Sequence, residues 1–194
     1  MNLQYEPEVG ITHSITTTLV RTSSNQPYTS SDAGTLLTQF RSEWNSNQTS
    51  IQRDVAQLFT GKSIIGGTIG IAWVGAVCTS FGFGMVESDF NGNFASATDL
   101  SAHELGHNFN ACHTHQTCNG GTPIDCCYTG ACCGGAGPGC SSASGISNGT
   151  VMSYCHLWPG GLGNITTFFH PEIQDDMPEV HGDILDNVRG TTDT

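Results

Sequence analysis

The chain has 194 residues, enough for one domain with a real core. Charged residues make up only 11% and are lopsided: 17 Asp and Glu against 5 Lys and Arg leave a net charge of -12. So acidic a surface has little to neutralise phosphates with, which excludes nucleic acid and an anionic membrane surface as partners and suits a secreted monomer kept soluble by its charge.

No run reaches the ~18 apolar residues of a membrane span. MNLQYEPEVG opens the chain without a basic start or an apolar run, so the expectation is a mature segment that carries neither signal peptide nor propeptide. ITHSITTTLV (11–20) is β-branched and partly alternating, which predicts a strand. SSNQPYTSS is turn chemistry. SDAGTLLTQFRSEW predicts an amphipathic helix with Ser31 or Asp32 as N-cap and Leu36, Leu37, Phe40 and Trp44 on one side. IQRDVAQLFTG reads as a second short helix or a helical turn ended by Gly61, and TIGIAWVGAV (68–77) as a strand. FASATDLSAHELGHNFN predicts a helix from about Thr98 or Asp99. Regular structure then fades until HPEIQDDMPEVHGDILDNV (170–188), a C-terminal helix interrupted near Pro178. The fold class is α/β (α+β), in one domain with an N-terminal lobe over 1–110 and an irregular, cysteine-rich lobe over 111–194.

Nine cysteines are present, eight of them between 112 and 155. That density predicts an oxidising compartment, secreted or periplasmic, and a disulfide-stapled segment with at least one thiol outside the intrachain pairs. Connectivity stays open. Sequons occur at Asn47, Asn148 and Asn164 and matter only in a glycosylating host.

HELGHNFNACHTH (103–115) places four histidines and one glutamate in thirteen residues. His103 and His107 are four apart, on one helix face, and both can reach one ion. Glu104 lies beside them as a neighbour of the metal rather than a ligand. In an HExxH arrangement the imidazoles bind Zn²⁺ and the glutamate takes a proton from water. A catalytic zinc site needs three protein ligands and an open position. His113 qualifies as the third if the chain bends after the helix, and Asn110 is the residue that tolerates the left-handed turn required. His115 reads as an ordinary loop histidine.

HELGHNFNACH resembles the HExxHxxGxxH signature of metzincin zinc endopeptidases, with Asn110 in place of the usual Gly. GTVMSYCH, carrying Met152, resembles the metzincin Met-turn. LFTGKSIIGGTIGIAWVGAVC upstream resembles the adamalysin/reprolysin branch, and the bacterial-type reprolysin-like proteases in particular. The resemblance covers residues 54 to 113 well and continues weakly to HPEI. It departs at Thr114, where many adamalysins have Asp, in the cysteine pattern, and before ITHSITTTLV, where the family's first strand and first long helix have no clear counterpart.

The resemblance implies a twisted mixed sheet, an active-site helix and a Met-turn under one catalytic Zn²⁺ held by His103, His107 and His113. Glu104 is then the general base of peptide hydrolysis. The substrate is a protein or peptide lying extended along the edge strand near 68–77. Tyr154, by analogy with the astacin and serralysin branches, either ligates zinc or stabilises the oxyanion; the plain alternative is a packed Tyr under the site. Leu157, Trp158 and Leu162 would favour an apolar side chain just after the scissile bond. Structural Ca²⁺ finds no support, because Asp175, Asp176 and Asp183 lack EF-hand spacing. Two other readings stay open. GTPIDCCYTG resembles the aspzincin segment, with Asp125 as third ligand; and a metzincin-fold module could bind without catalysis.

Overall fold

The structure, a computed structural model, describes residues 1–88, 92, 94–116, 124–125, 127, 149–157 and 160–177. Trp158, Asp183 and Cys118, Cys126, Cys132, Cys133 and Cys140 lie outside these residues, as does the expected C-terminal helix beyond 177.

The chain opens with helix α1 (Asn2–Val9), which tolerates Pro7 inside it and ends where Gly10 turns left-handed at φ 67°. Residues 11–20 form no strand. Only Ile11 there is buried, and Ile15 and Val20 are almost fully exposed. β-branched residues favour a pleated, half-buried surface, and this segment has none to pack on.

Helix α2 (Ala33–Asn47) follows the expected pattern. Asp32 is the N-cap, and its carboxylate accepts from Thr35 N at 2.9 Å. Leu36, Leu37, Phe40 and Trp44 are buried on one face. Fully burying side chains of this size stabilises by about 1.5–3 kcal/mol each.

IQRDVAQLFTG is not a helix. Its second half is strand β1 (Ala56–Thr60), which pairs in parallel with β3 (Phe83–Glu87). Strand β2 (Gly70–Ala72) pairs antiparallel with the other side of β3, giving the order β1-β3-β2 with β2 at an edge. The predicted 68–77 strand is therefore shorter. After Trp73 the chain leaves the sheet, with Gly75 left-handed at φ 61°. The N–H of Gly75 bonds to His107 O at 2.8 Å, and those of Ala76 and Val77 to Asn108 O at 2.9 and 3.2 Å. These donors bond to carbonyls at the end of helix α3 (Phe94–Asn108), and a longer strand would take the Ala76 and Val77 N–H groups away from Asn108 O.

Helix α3 begins earlier than its expected start near Thr98. Phe83 and Met85 of β3 pack into the α2 cluster, while Gly84 between them faces α3, where a Cβ on it would stand 3.6 Å from Asn108 Oδ1. The sheet thus lies between α2 and α3. Asn108 Nδ2 donates to Trp73 O at 2.9 Å and Phe83 O at 3.2 Å, tying α3 to both strands. A second core joins α1 to the far side of α3. Tyr5, Ala102, Leu105, Phe109, Met152 and Phe169 are among its buried members, and Tyr5 Oη donates to Ala102 O at 2.6 Å. No helix among the described residues is long and apolar enough to cross a membrane.

Candidate metal centre

His103 and His107 sit one turn apart near the C-terminal end of α3, both buried. The helix closes with paired bonds from Ala111 N to Gly106 O and from Asn110 N to His107 O, both 2.9 Å. Asn110 is left-handed at φ 74°. This is a Schellman closure, with Asn doing the work usually given to Gly. It sends the chain back toward the helix, as the sequence predicts. His113 Nε2 lies 3.0 Å from His107 Nε2 and 3.2 Å from His103 Nε2. Ligand atoms of these three residues all fall within 4.8 Å of one another.

The outer nitrogens fix the tautomers of the two helical imidazoles. His103 Nδ1 is 2.7 Å from Val151 O, and His107 Nδ1 is 2.8 Å from Ala111 O. A carbonyl only accepts, so each Nδ1 carries the proton and each Nε2 presents its lone pair to the shared point. Burial, and then the neighbouring imidazoles, hold His103 well below its usual pKa; burial also lowers that of His107. Burial with His107 and His115 nearby pushes His113 down to about 3. All three are neutral at pH 7, the form that binds a metal. The donor set fits Zn²⁺ with three imidazoles and a position left open.

Glu104 is buried beside the histidines, and its Oε2 has no hydrogen-bond partner. Burial raises its pKa to about 8. Gly70 of β2 presses on it: a Cβ there would stand 2.4 Å from Glu104 Oε1 and 2.8 Å from Cδ. Met152 is fully buried under the site, and a Cβ on Gly106 would meet its Sδ at 2.7 Å. Its neighbour Val151 supplies the carbonyl that holds His103, so the 150–153 turn both supports and orients the helix.

Asp125 stands apart from the three histidines. Its carboxylate accepts from Thr114 Oγ1 and, at 3.0 Å, from Cys127 N, fastening the loop after His113. Thr114 N also bonds to Met152 O at 3.1 Å. His115 is not a loose loop residue. It is buried and stacks on His113 with ring centroids 5.1 Å apart. Tyr154 packs on His113 and His115, with centroids 4.5 and 4.7 Å away. Cys127 and Cys155 form a disulfide, Cys112 is disulfide-bonded, and Cys78 is a free, exposed thiol.

A cavity of about 400 Å³ opens beside His103 and Glu104. The β2 approach, Thr68 to Gly70, lines one side, and Leu157 and Leu162 line another. Ser96 and Asp99 of α3 and His156 also face it, none of them anticipated from sequence as site residues. The signal for the first two was present: positions 96, 99, 103 and 107 share one helical face.

Residues 1–114, more than half of the chain, match metallo-peptidase family M12B, reprolysin-like. The chain belongs to that family. This reprolysin-like chain is 37% identical over 103 residues to the disintegrin and metalloproteinase domain-containing protein 19 of Mus musculus, covering 53% of this chain and 10% of that protein. It is 36% identical over 67 residues to the hemorrhagic metalloproteinase-disintegrin-like kaouthiagin of Naja kaouthia, covering 34% of this chain and 16% of the relative. Zinc metalloproteinase-disintegrin-like atrase-A of Naja atra is 35% identical over 97 residues, covering 49% of this chain and 16% of the relative. The reprolysin-like chain thus spans a small part of the length of these relatives.

Proposed function

We propose that this chain is a zinc endopeptidase that hydrolyses peptide bonds of proteins outside the cytoplasm. One observation carries the reading: three imidazole Nε2 atoms converge, two of them aimed by backbone carbonyls, next to a buried carboxylate with an unpartnered oxygen. Zn²⁺ held there supplies Lewis acidity, polarising a carbonyl and acidifying water towards a pKa of about 7.

His103, His107 and His113 bind as neutral ligands, and the Val151 and Ala111 carbonyls keep their rings from turning. Glu104 takes the proton from the attacking water and returns it to the leaving amine. With a dication bound beside it, Glu104 would fall from about 8 and be available as the carboxylate at neutral pH. Gly70 leaves room for Glu104 and brings the β2 edge against it. An extended substrate pairs with that edge through main-chain hydrogen bonds. Tyr154 packs against the His113 ring, centroids 4.5 Å apart, and in this reading its hydroxyl donates to a developing oxyanion. Asp125 is engaged by Thr114 and Cys127, which favours His113 over Asp125 as third ligand. Disulfides at Cys127–Cys155 and Cys112 support an oxidising compartment.

The test is cleavage of unfolded casein before and after chelation, then after readdition of zinc. Activity lost with chelator and restored by about one equivalent of zinc supports the reading. Undiminished activity in chelator contradicts it.

A further inference from the structure

A second acidic residue of helix α3, Asp99, lines the cavity. Ser96, Asp99 and His103 lie on one face of the helix and all line it, with Asp99 one turn before the first histidine. Asp99 is half buried. Among the described residues, the one hydrogen bond its carboxylate receives is long and comes from a neutral group, Gln4 Nε2, at 3.5 Å. Among the described lining residues there is no Lys or Arg, and the other carboxylate, Glu104, is already assigned to water. Leu100, Leu157, Leu162 and Ile165 make the surrounding wall apolar.

A half-buried carboxylate among apolar side chains, with no cation beside it, is poorly solvated and uncompensated. A cationic side chain arriving with the substrate would compensate it. The apolar wall would cover that side chain's methylenes while its charged head reaches Asp99. The net charge of -12 adds a long-range attraction for positive substrates. The expectation of an apolar residue beside the scissile bond rested on Leu157, Trp158 and Leu162 and took no account of Asp99, which lines the cavity from the helix.

We infer that this cavity takes a lysine or arginine side chain adjoining the scissile bond, with Asp99 as the residue that selects for positive charge. The inference rests on the protease reading, and the experiment separates the two. Asp99→Asn keeps an acceptor for Gln4 and removes only the charge. The zinc-loaded chain and this variant digest a peptide library, and mass spectrometry reads the residues flanking each cleaved bond. Peptides differing only by Lys or Leu at that position give kcat/KM. In parallel, the Glu104→Gln chain is titrated with the same two peptides, so that binding is read without turnover.

The expected result is Lys and Arg enrichment for the starting chain. In Asp99→Asn the Lys-to-Leu ratio of kcat/KM falls at least about tenfold, with Leu cleavage changed less than about threefold. Leu cleaved as well as Lys by the starting chain, or an equal loss on both peptides in the variant, overturns the Asp99 assignment and leaves the protease reading standing. Tighter binding of the Lys peptide by Glu104→Gln, with no cleavage of either peptide by the starting chain, supports the pocket and overturns the protease reading.

Discussion

Glu104→Gln in the metal-free chain should stabilise the fold increasingly as pH rises. Glu104 is buried, and its folded pKa lies at about 8 against an ordinary 4.5. Between those values the unfolded chain has released the proton while the folded chain keeps it. Stability therefore falls with rising pH across that window, and Gln, which does not titrate, removes the slope. At about 1.4 kcal/mol per pKa unit, the penalty grows from about 1 kcal/mol at pH 5 to about 4 kcal/mol at pH 8. The variant should thus gain about 3 kcal/mol on the parent over that range. Gln adds an amide to a place where Oε2 already lacks a partner, which costs about 1–3 kcal/mol at every pH. The change in the difference with pH is therefore the quantity to read, from urea unfolding in excess chelator at pH 5 and 8. Parallel stability curves would refute the reasoning, since they mean that Glu104 titrates alike in both states. Added zinc should flatten the parent's slope, because a dication beside Glu104 favours the carboxylate.

Gly70→Ala should lower casein turnover at least about 100-fold with zinc content unchanged, because the three atoms nearest the new Cβ all belong to Glu104, whose carboxylate it displaces; metal analysis beside the assay checks it. Asn110→Ala should lose about 1–2 kcal/mol of stability and weaken zinc binding, while Asn110→Gly keeps both, since the position is left-handed at φ 74°; thermal melts and competitive chelation read the pair. Asp32→Ala should cost about 1 kcal/mol through the lost cap to Thr35 N and leave turnover unchanged.

The site was more legible in the sequence than the sheet, and the reason is locality. His103, His107 and Asn110 lie within one helix and its closing turn, where spacing and one backbone preference decide the geometry. Helix α2 was legible for the same reason: its cap and apolar face are written in consecutive turns. The strands depend on distant partners. AQLFT becomes β1 only because β3 runs parallel to it more than twenty residues later. β3 itself is buried through Val86, so its sequence lacks the polar alternation of a half-exposed strand, and Gly84 within it reads as a turn. Residues 11–20 carried a strand pattern with nothing to pair with. Asp99 and Gly70 were silent for a third reason. Each matters through a close approach between elements, which no local pattern records.

The most direct test of the account is zinc content measured beside casein cleavage, for the chain and for Glu104→Ala. The account predicts about one zinc per chain in both and cleavage by the parent alone. Zinc bound by both with equal cleavage, or with none from either, would contradict the assignment of Glu104 as the base of a peptide-hydrolysing centre.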